Sequence, residues 1–436
     1  MHVVVLGAYG LIGSEVVAAL LRRGDRVTGL GRQVDRAQRA QASVRWLCAD
    51  LRDLTLAARW QALLREDPPN AIVNCAGLLQ TSGSDGVSTI QRDAIVAMID
   101  AASALGVQRF VQISAPGAAA TADTEFMRSK GDADDYLAAQ AGSQLAWWIL
   151  RPGLVLARGA YGGSALLRAL AAFPGVIPVT HADAPLQTVD VDDIAGAVVA
   201  CLHGEIPPGE RYDLLEMEAH GLRDVVVSLR AWLALREAPV VRLPDAVGRA
   251  VARGADALAW LGWRSPLRST ALRELEHGVR GDATRWRQVS GRALCSLEQT
   301  LASHPATVQD RWFARLWLLK PALVATLSLF WLLTALVAVI HPAPALHLLG
   351  AMGLSETRAN TIVYGGAALD TVLGLMVLHR RAVPVATLGM VLATAGYLVA
   401  ATLLAPSLWL DPLGPLLKPV PGALLALVLR AIADDR

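Results

Sequence analysis

Three glycines near the start of the chain carry its clearest chemical signal. Gly7, Gly10 and Gly13 lie in the run Gly7-Ala8-Tyr9-Gly10-Leu11-Ile12-Gly13. An apolar, β-branched stretch, His2–Leu6, precedes them and an amphipathic stretch, roughly residues 14–23, follows and is stopped by Gly24. Glycines between a strand and a helix let backbone N–H groups approach a pyrophosphate, and the helix N-terminus adds a positive dipole. Gly13 would let the helix lie close on the strand. The expected cofactor-binding positions are Gly7, Tyr9, Gly10, Leu11, Ile12 and Gly13. A second strand, near residues 26–30, ends in Gly31-Arg32 rather than in an acid. A carboxylate there suits the ribose 2′-hydroxyl of NAD(H), whereas Arg32 suits a 2′-phosphate, with Arg36 as a second cation. NADP(H) is therefore the preferred cofactor. NAD(H) stays open because Asp35 is near.

The elements that must hold this loop follow in an α/β rhythm. Strands are expected at residues 44–48, 71–75 and 109–113, with a helix at 89–105. Such alternation predicts a doubly wound parallel sheet of the Rossmann type, covered on both faces.

The chain has 436 residues, 40 Lys+Arg and 38 Asp+Glu, a net charge of +2. That balance excludes a broad nucleic-acid-binding surface. Only 18% of residues are charged and mean hydropathy is +0.40, which predicts that part of the chain lies outside water. From Arg311 onward, 126 residues hold fourteen charges. Four cysteines (Cys48, Cys75, Cys201, Cys295) show no CxxC spacing, so neither a disulfide framework nor a metal site is expected. Residues 1–13 show no basic n-region and no cleavage signal.

The chain resembles the short-chain dehydrogenase/reductase superfamily in its extended or atypical branch. The resemblance spans about residues 1–205. It rests on the glycine loop, Asp50-Leu51, Asn74-Cys75-Ala76-Gly77, Ser114, Lys130 and Arg151-Pro152-Gly153. Gly77-Leu78-Leu79-Gln80 and Gln112-Ile113-Ser114-Ala115 make it similar to the nucleotide-binding accessory subunit of respiratory complex I. The resemblance implies that Asp50 and Leu51 flank the adenine and that Ala76 and Gly77 line the cofactor. It also implies that Ser114 and Lys130 are the surviving catalytic residues. Active members carry Tyr-x-x-x-Lys, in which the phenol gives a proton to the carbonyl oxygen as hydride arrives. This chain reads Phe126-Met127-Arg128-Ser129-Lys130, and phenylalanine has no proton to give. Lys130 stands out because the chain has only two other lysines, Lys320 and Lys418. Tyr136 is expected to pack. Tyr161, in a glycine-rich loop, is a weak substitute acid.

Residues 206–310 form a cytosolic, mainly helical substrate or linker region without a chemical motif. A helix is expected near residues 245–261, with Val247, Val251, Leu258 and Leu261 near one face, Arg249 and Arg253 elsewhere, and Trp260 and Trp263 following. Two readings stay open. Either the stretch lies against anionic lipid headgroups, or it packs on the first domain.

Residues 316–436 read as a membrane domain of about four helices. Uncharged or nearly uncharged runs cover residues 321–340, 359–378 and 382–404, and a shorter one covers 420–432. Arg311, Arg315, Lys320, Arg380, Arg381, Arg430 and Arg436 fall on one side, which predicts a multi-pass protein of the cytoplasmic (inner) membrane with its first domain in the cytosol. Asp370 is costly at mid-bilayer and is the polar site of the bundle. It would bind a headgroup or a proton, or pair with Lys418 or a backbone group. The glycines of 365–374, with Trp409-Leu410-Asp411-Pro412 and Pro415–Pro419, make this part similar to the DoxX-like membrane family, whose resemblance implies a redox or quinone-related setting.

Two functions follow. One is a membrane-anchored, NADP(H)-dependent oxidoreductase passing hydride to a lipophilic acceptor such as a quinone. The other is a catalytically silent NADP(H) sensor or assembly subunit of a membrane redox complex. Membrane lipid is the expected partner in both.

Overall fold

A computed structural model describes residues 1–78, 86–140, 145–263 and 265–433. Leu79 and Gln80 of the complex I-like stretch, and Arg436 of the topology argument, lie outside them. The chain divides into two compact units. Residues 1–256 and 265–311 form the first, and residues 257–264 and 312–436 the second.

The first unit is built on a seven-stranded, fully parallel sheet. Its first six strands in chain order are β1 (His2–Leu6), β2 (Arg26–Gly31), β3 (Arg45–Cys48), β4 (Ala71–Asn74), β5 (Arg109–Ile113) and β6 (Ala146–Pro152). From the edge the order is Glu210–Leu214, β6, β5, β4, β1, β2, β3. All five residues of β1 and all four of β4 are buried, as two-sided coverage by helices requires. Two apolar layers result. Val3, Val5, Val16, Val17, Leu20 and Val198 fill one face; Val4, Leu6, Trp60, Ile95, Met98 and Phe110 fill the other.

Strand order reverses between β1 and β4, and ligands of such sheets bind at the carboxyl ends beside that reversal. The glycine loop leaves β1 there. Helix α1 (Leu11–Arg22) begins three residues earlier than the amphipathic pattern suggests, with Gly10 as its N-cap. Helices α2 (Asp35–Ala40), α3 (Ala57–Leu64), α4 (Ala94–Ala104) and α5 (Glu125–Ala139) complete the part that bears the site. The expected helix at 89–105 is not uniform. It opens with a π-helical turn, Thr89–Asp93, before α4.

The Asp245–Ala259 helix contacts its surroundings through small residues. Ala252, Ala255 and Ala259 are buried, whereas Val247, Val251 and Leu258 are exposed. The stripe that amphipathic counting marks as the packing face is thus the outward one. Alanines let the helix approach more closely than valines would.

The second unit is helical. A 33-residue helix, Val308–Ile340, carries Pro321 within it. It is followed by Ala343–Ala351, which the hydropathy pattern did not separate, then Glu356–Met376, Val383–Leu404 and Pro419–Ala431. Val308–Ile340 and Arg380–Leu404 are long and apolar enough to cross a membrane. Only 28% and 17% of their apolar windows are buried. Leu329, Leu333, Val337, Leu392 and Leu403 face outward. A soluble core helix would hide such surface, while lipid accepts it. Pro419–Ala431 has 13 residues and measures about 20 Å as a helix, short of the roughly 30 Å hydrocarbon layer.

Close approach within the bundle uses glycine. A Cβ at Gly374 would lie 2.9 Å from Leu332 Cγ, and one at Gly389 would lie 2.7 Å from Leu373 Cδ2. Ser328 Oγ donates to the Gly374 carbonyl at 2.8 Å. Asp370 is buried and accepts from the Tyr397 hydroxyl at 2.9 Å. Its partner is therefore Tyr397 rather than Lys418.

Candidate NAD(P)H site

The site grows from the turn after β1. Gly7 adopts φ +69°, a left-handed conformation that favours glycine, and its amide donates to the Leu30 carbonyl at 3.1 Å. A Cβ on Gly7 would meet the Ala76 backbone at 3.0 Å, so the loops after β1 and β4 touch across the sheet reversal. Gly13 is tighter. A Cβ there would lie 2.2 Å from the Gly7 carbonyl oxygen. The close approach is to the Gly7–Ala8 turn, not to the strand on which Gly13 was expected to let the helix lie.

No side chain caps α1, and its first turn holds no acid. The leading N–H groups of Leu11, Ile12 and Gly13 therefore face the loop without an intrahelical partner. With the positive end of the helix dipole, this arrangement fits a pyrophosphate. Tyr9 lies over the end of β2. A Cβ on Gly31 would overlap its ring at 2.1 Å, and the Arg32 amide donates to its hydroxyl at 3.2 Å. Arg32 is exposed at the carboxyl end of β2, where a ribose phosphate would be met. Asp50 accepts from the Arg52 amide at 3.0 Å and pairs with the Arg52 guanidinium at 2.6 Å; Leu51 beside it is buried. Burial by itself would raise the Asp50 carboxyl, but the Arg52 hydrogen bonds and charge hold it below the usual carboxylate range.

Across the reversal, Asn74 sets the second loop. Its Oδ1 accepts from the Ala76 amide at 3.0 Å, and its Nδ2 donates to Gln112 Oε1 at 2.9 Å, both side chains buried. Gly77 is exposed, and a Cβ built on it would sit 3.9 Å from Lys130 Nζ and 4.0 Å from Gln91 Oε1. Gln91 comes from the π-helical turn and donates to the Leu78 carbonyl at 2.9 Å. Its Oε1 is buried and unpartnered. Sequence reading missed Gln91. An extra residue in a helical turn leaves no trace in apolar spacing, although such turns cluster at functional sites.

Beyond Gly77 lies a buried polar group. Lys130 Nζ donates to the Ile113 carbonyl at 2.8 Å and sits 5.7 Å from the centre of the Phe126 ring. Burial pushes the Lys130 ammonium down to about 8, against the pull of Asp134. The Ser114 hydroxyl donates to Asp134 Oδ2 at 2.6 Å. Asp134 is fully buried one turn after Lys130, with Arg151 Nη2 at 3.5 Å and its own Oδ1 unpartnered. Burial raises its carboxyl to about 6, although Ser114, Lys130 and Arg151 all oppose that rise. Asp134 was also missed, but its position four residues after Lys130 on a helix was the available signal. Burial lifts the Cys75 thiol to about 12, so it is an inert neighbour rather than a nucleophile.

The other sequence candidates lie apart. The Tyr136 hydroxyl bonds Asp100 on α4. Tyr161 is half-exposed in the loop before the Gly163–Ala171 helix. All four cysteines are free. Among the described residues, Asp190, Asp192 and His304 bring three ligand-type atoms within 4.8 Å. Helix capping explains them. Asp190 accepts from the Asp192 amide at 3.0 Å and bonds His304 Nε2 at 3.0 Å.

Comparison with known proteins agrees with this geometry. Residues 7–205 match the NAD(P)H-binding family model and residues 328–429 match the DoxX-like family model. A Streptomyces protein described as 3-diazoavenalumate denitrifying reductase is 31% identical over 242 residues, covering 47% of this chain and 73% of that protein. The chain belongs to the NAD(P)H-binding, short-chain-dehydrogenase-like family. The mitochondrial protein fmp52 of Aspergillus clavatus is 29% identical, over 48% of this chain and 91% of its own length. Two solved structures share the fold. The Bordetella bronchiseptica enzyme WbmH in complex with NAD+ has a TM-score of 0.53 at 18% identity, covering 70% of this chain and 96% of that one. The dTDP-glucose 4,6-dehydratase of Bacillus anthracis with NAD has a TM-score of 0.54 at 14% identity, covering 72% and 96%. This family member thus joins an NAD(P)H-binding reductase fold to a membrane-associated, DoxX-like C-terminal unit.

Proposed function

We propose that the protein is a membrane-anchored oxidoreductase that takes hydride from NADPH and reduces a lipophilic acceptor, a quinone being the best fit. The observation that carries this reading is the meeting of the Gly7 and Ala76–Gly77 loops beside buried Lys130 and Ser114. Residues 1–205 bind the cofactor, 206–310 form the substrate or linker region and 316–436 the membrane domain. The reductase description of the Streptomyces relative supports a reducing direction.

The bound nicotinamide supplies the hydride. The chain does the rest. Gly7, Gly10 and the α1 amides of Leu11, Ile12 and Gly13 would hold the pyrophosphate; Tyr9, Asp50 and Leu51 border the adenosine. Arg32 favours NADP(H) over NAD(H) by meeting a 2′-phosphate. Ala76 and Gly77 offer backbone to the nicotinamide half. Lys130 keeps its ammonium directed toward that half. Phe126 occupies the position of the family's proton-donating tyrosine, so the remaining proton-bearing hydroxyl is that of Ser114, which Asp134 holds in place. Reduction of a quinone consumes one hydride and one proton; because the Ser114 hydroxyl donates to Asp134 Oδ2, that proton would come from water.

Basic residues at Lys320, Arg380, Arg381 and Arg430 support a multi-pass arrangement in the inner membrane with the cofactor domain in the cytosol. Contacts within the second unit agree. Lys320 Nζ donates to the Ala433 carbonyl at 3.0 Å and Arg430 to the Pro384 carbonyl, so both ends of the bundle's chain return to one side. Phe126 itself favours the second reading, a silent NADP(H)-binding sensor or an assembly subunit of a membrane complex.

A single fluorescence trace separates the two. NADPH is added to the purified full chain in detergent, and then a short-chain quinone. Enhanced nicotinamide emission that decays on quinone addition supports the oxidoreductase. Enhancement that persists supports the sensor, and no enhancement contradicts both.

A further inference from the structure

Residues 257–263 belong to the helical unit although forty-four residues separate them from its first long helix, Val308–Ile340. Four bonds turn the chain sharply there. The amides of Trp260, Leu261 and Gly262 donate to the carbonyls of Ala257, Leu258 and Ala259, and Trp263 returns to Leu258. Gly262 holds φ +83°, with a Cβ position 3.6 Å from Arg380 Cβ. The turn sends the two tryptophans in opposite directions. Trp263 enters the bundle, where Nε1 donates to the Leu378 carbonyl at 2.6 Å and Lys320 Nζ stands 5.8 Å from its ring centre. Trp260 points away and is 92% exposed, with Leu258 46% exposed beside it. The Arg380 amide donates to the Leu261 carbonyl at 3.0 Å, fixing the turn at the end of the Glu356–Met376 helix.

This end of the bundle is where the cations collect: Lys320, Arg380 and Arg381. A tryptophan left almost wholly in water hides none of its large apolar ring, whereas the lipid headgroup zone accepts both the ring and its indole N–H. We propose that Leu258 and Trp260 insert into the headgroup layer of an anionic leaflet, as a wedge held by Trp263, with Lys320 over the Trp263 ring and Arg380 beside the turn. The wedge rests on the membrane association of the C-terminal unit but not on the redox reading. Anionic lipid is the occupant that charge complementarity selects.

The test labels the full chain with 5-fluorotryptophan and places it in nanodiscs of phosphatidylcholine and phosphatidylglycerol. Trp260→Phe identifies the Trp260 fluorine resonance; the side chain is exposed, so the fold should survive. A nitroxide carried on lipid headgroups should broaden that resonance beyond detection, while a water-soluble gadolinium chelate should leave it visible. Removing phosphatidylglycerol should weaken the headgroup effect. The reverse pattern, with the chelate erasing the signal and the lipid nitroxide sparing it, overturns the wedge. So does a resonance that shifts between one and two chains per disc, which would mean that a second copy covers the face. Headgroup broadening that is indifferent to phosphatidylglycerol overturns the anionic preference. A nitroxide on the acyl chains serves as the control. If it broadens no tryptophan at all, the membrane association itself fails.

Discussion

The Ser114 hydroxyl and the Asp134 carboxylate lie 2.6 Å apart, sealed from solvent one helical turn beyond Lys130. Asp134 thereby turns an ordinary strand-end serine into an oriented one, and its raised carboxyl has a thermodynamic signature. The folded chain keeps a proton on Asp134 up to about pH 6, whereas the ordinary value is 3.8. Between those values the folded state binds more protons than the unfolded one, so this group's contribution to stability falls as pH rises through the window. Asp134→Asn should abolish that slope. The difference between wild-type and variant melting temperatures, measured from pH 4 to 7, checks it; parallel profiles would contradict the buried acid.

The proposed preference for NADP(H) rests on Arg32. Replacing it by alanine removes a charge-assisted contact to the 2′-phosphate, worth about 1.5–3 kcal/mol, or roughly ten- to hundredfold in NADPH affinity. NADH affinity should barely change. Titrating both nucleotides by fluorescence decides the matter, and equal losses for the two would remove the 2′-phosphate role.

Gly13 has no room for a side chain. Gly13→Ala would place its Cβ 2.2 Å from the Gly7 carbonyl oxygen, and backbone cannot yield as a flexible side chain would. Overpacking of this kind costs about 1–3 kcal/mol. Both the melting temperature and NADPH binding should drop, and a variant that kept full affinity would show that the loop does not hold the pyrophosphate.

Much of this arrangement was readable from the chain. His2–Leu6 and the three glycines mark a strand, turn and helix because local rules govern all three, and the strand Arg109–Ile113 matches its expected bounds. Ser114 and Lys130 stood out through the resemblance to the short-chain dehydrogenase/reductase superfamily, and Lys130 also because lysine is rare in this chain. Asp134 and Gln91 did not, because their roles depend on what packs against them: a serine from a neighbouring strand and a glycine from another loop. Asp370 was legible as a costly carboxylate, but its partner Tyr397 sits 27 residues away on another helix. The Asp245–Ala259 helix shows the limit of periodicity. Counting finds the valine stripe, yet close packing selected the alanines.

The Asp370–Tyr397 pair should stabilise the bundle. Tyr397→Phe keeps the ring and leaves a buried carboxyl oxygen without its donor, at a cost of about 1–3 kcal/mol. The apparent melting temperature of the detergent-solubilised full chain should fall accordingly. An unchanged value would mean that Asp370 finds a replacement donor at once.

The central claim is that buried Lys130 serves a working NADPH site whose hydride leaves for a quinone. Its most direct measurement is the rate of quinone-dependent NADPH oxidation by the full chain and by Lys130→Ala, each at saturating quinone. The account predicts oxidation by the wild type and a loss of at least tenfold in the variant, with the fold retained. A variant that oxidises NADPH as fast as the wild type, or a wild type that binds NADPH tightly and never oxidises it, would contradict the account.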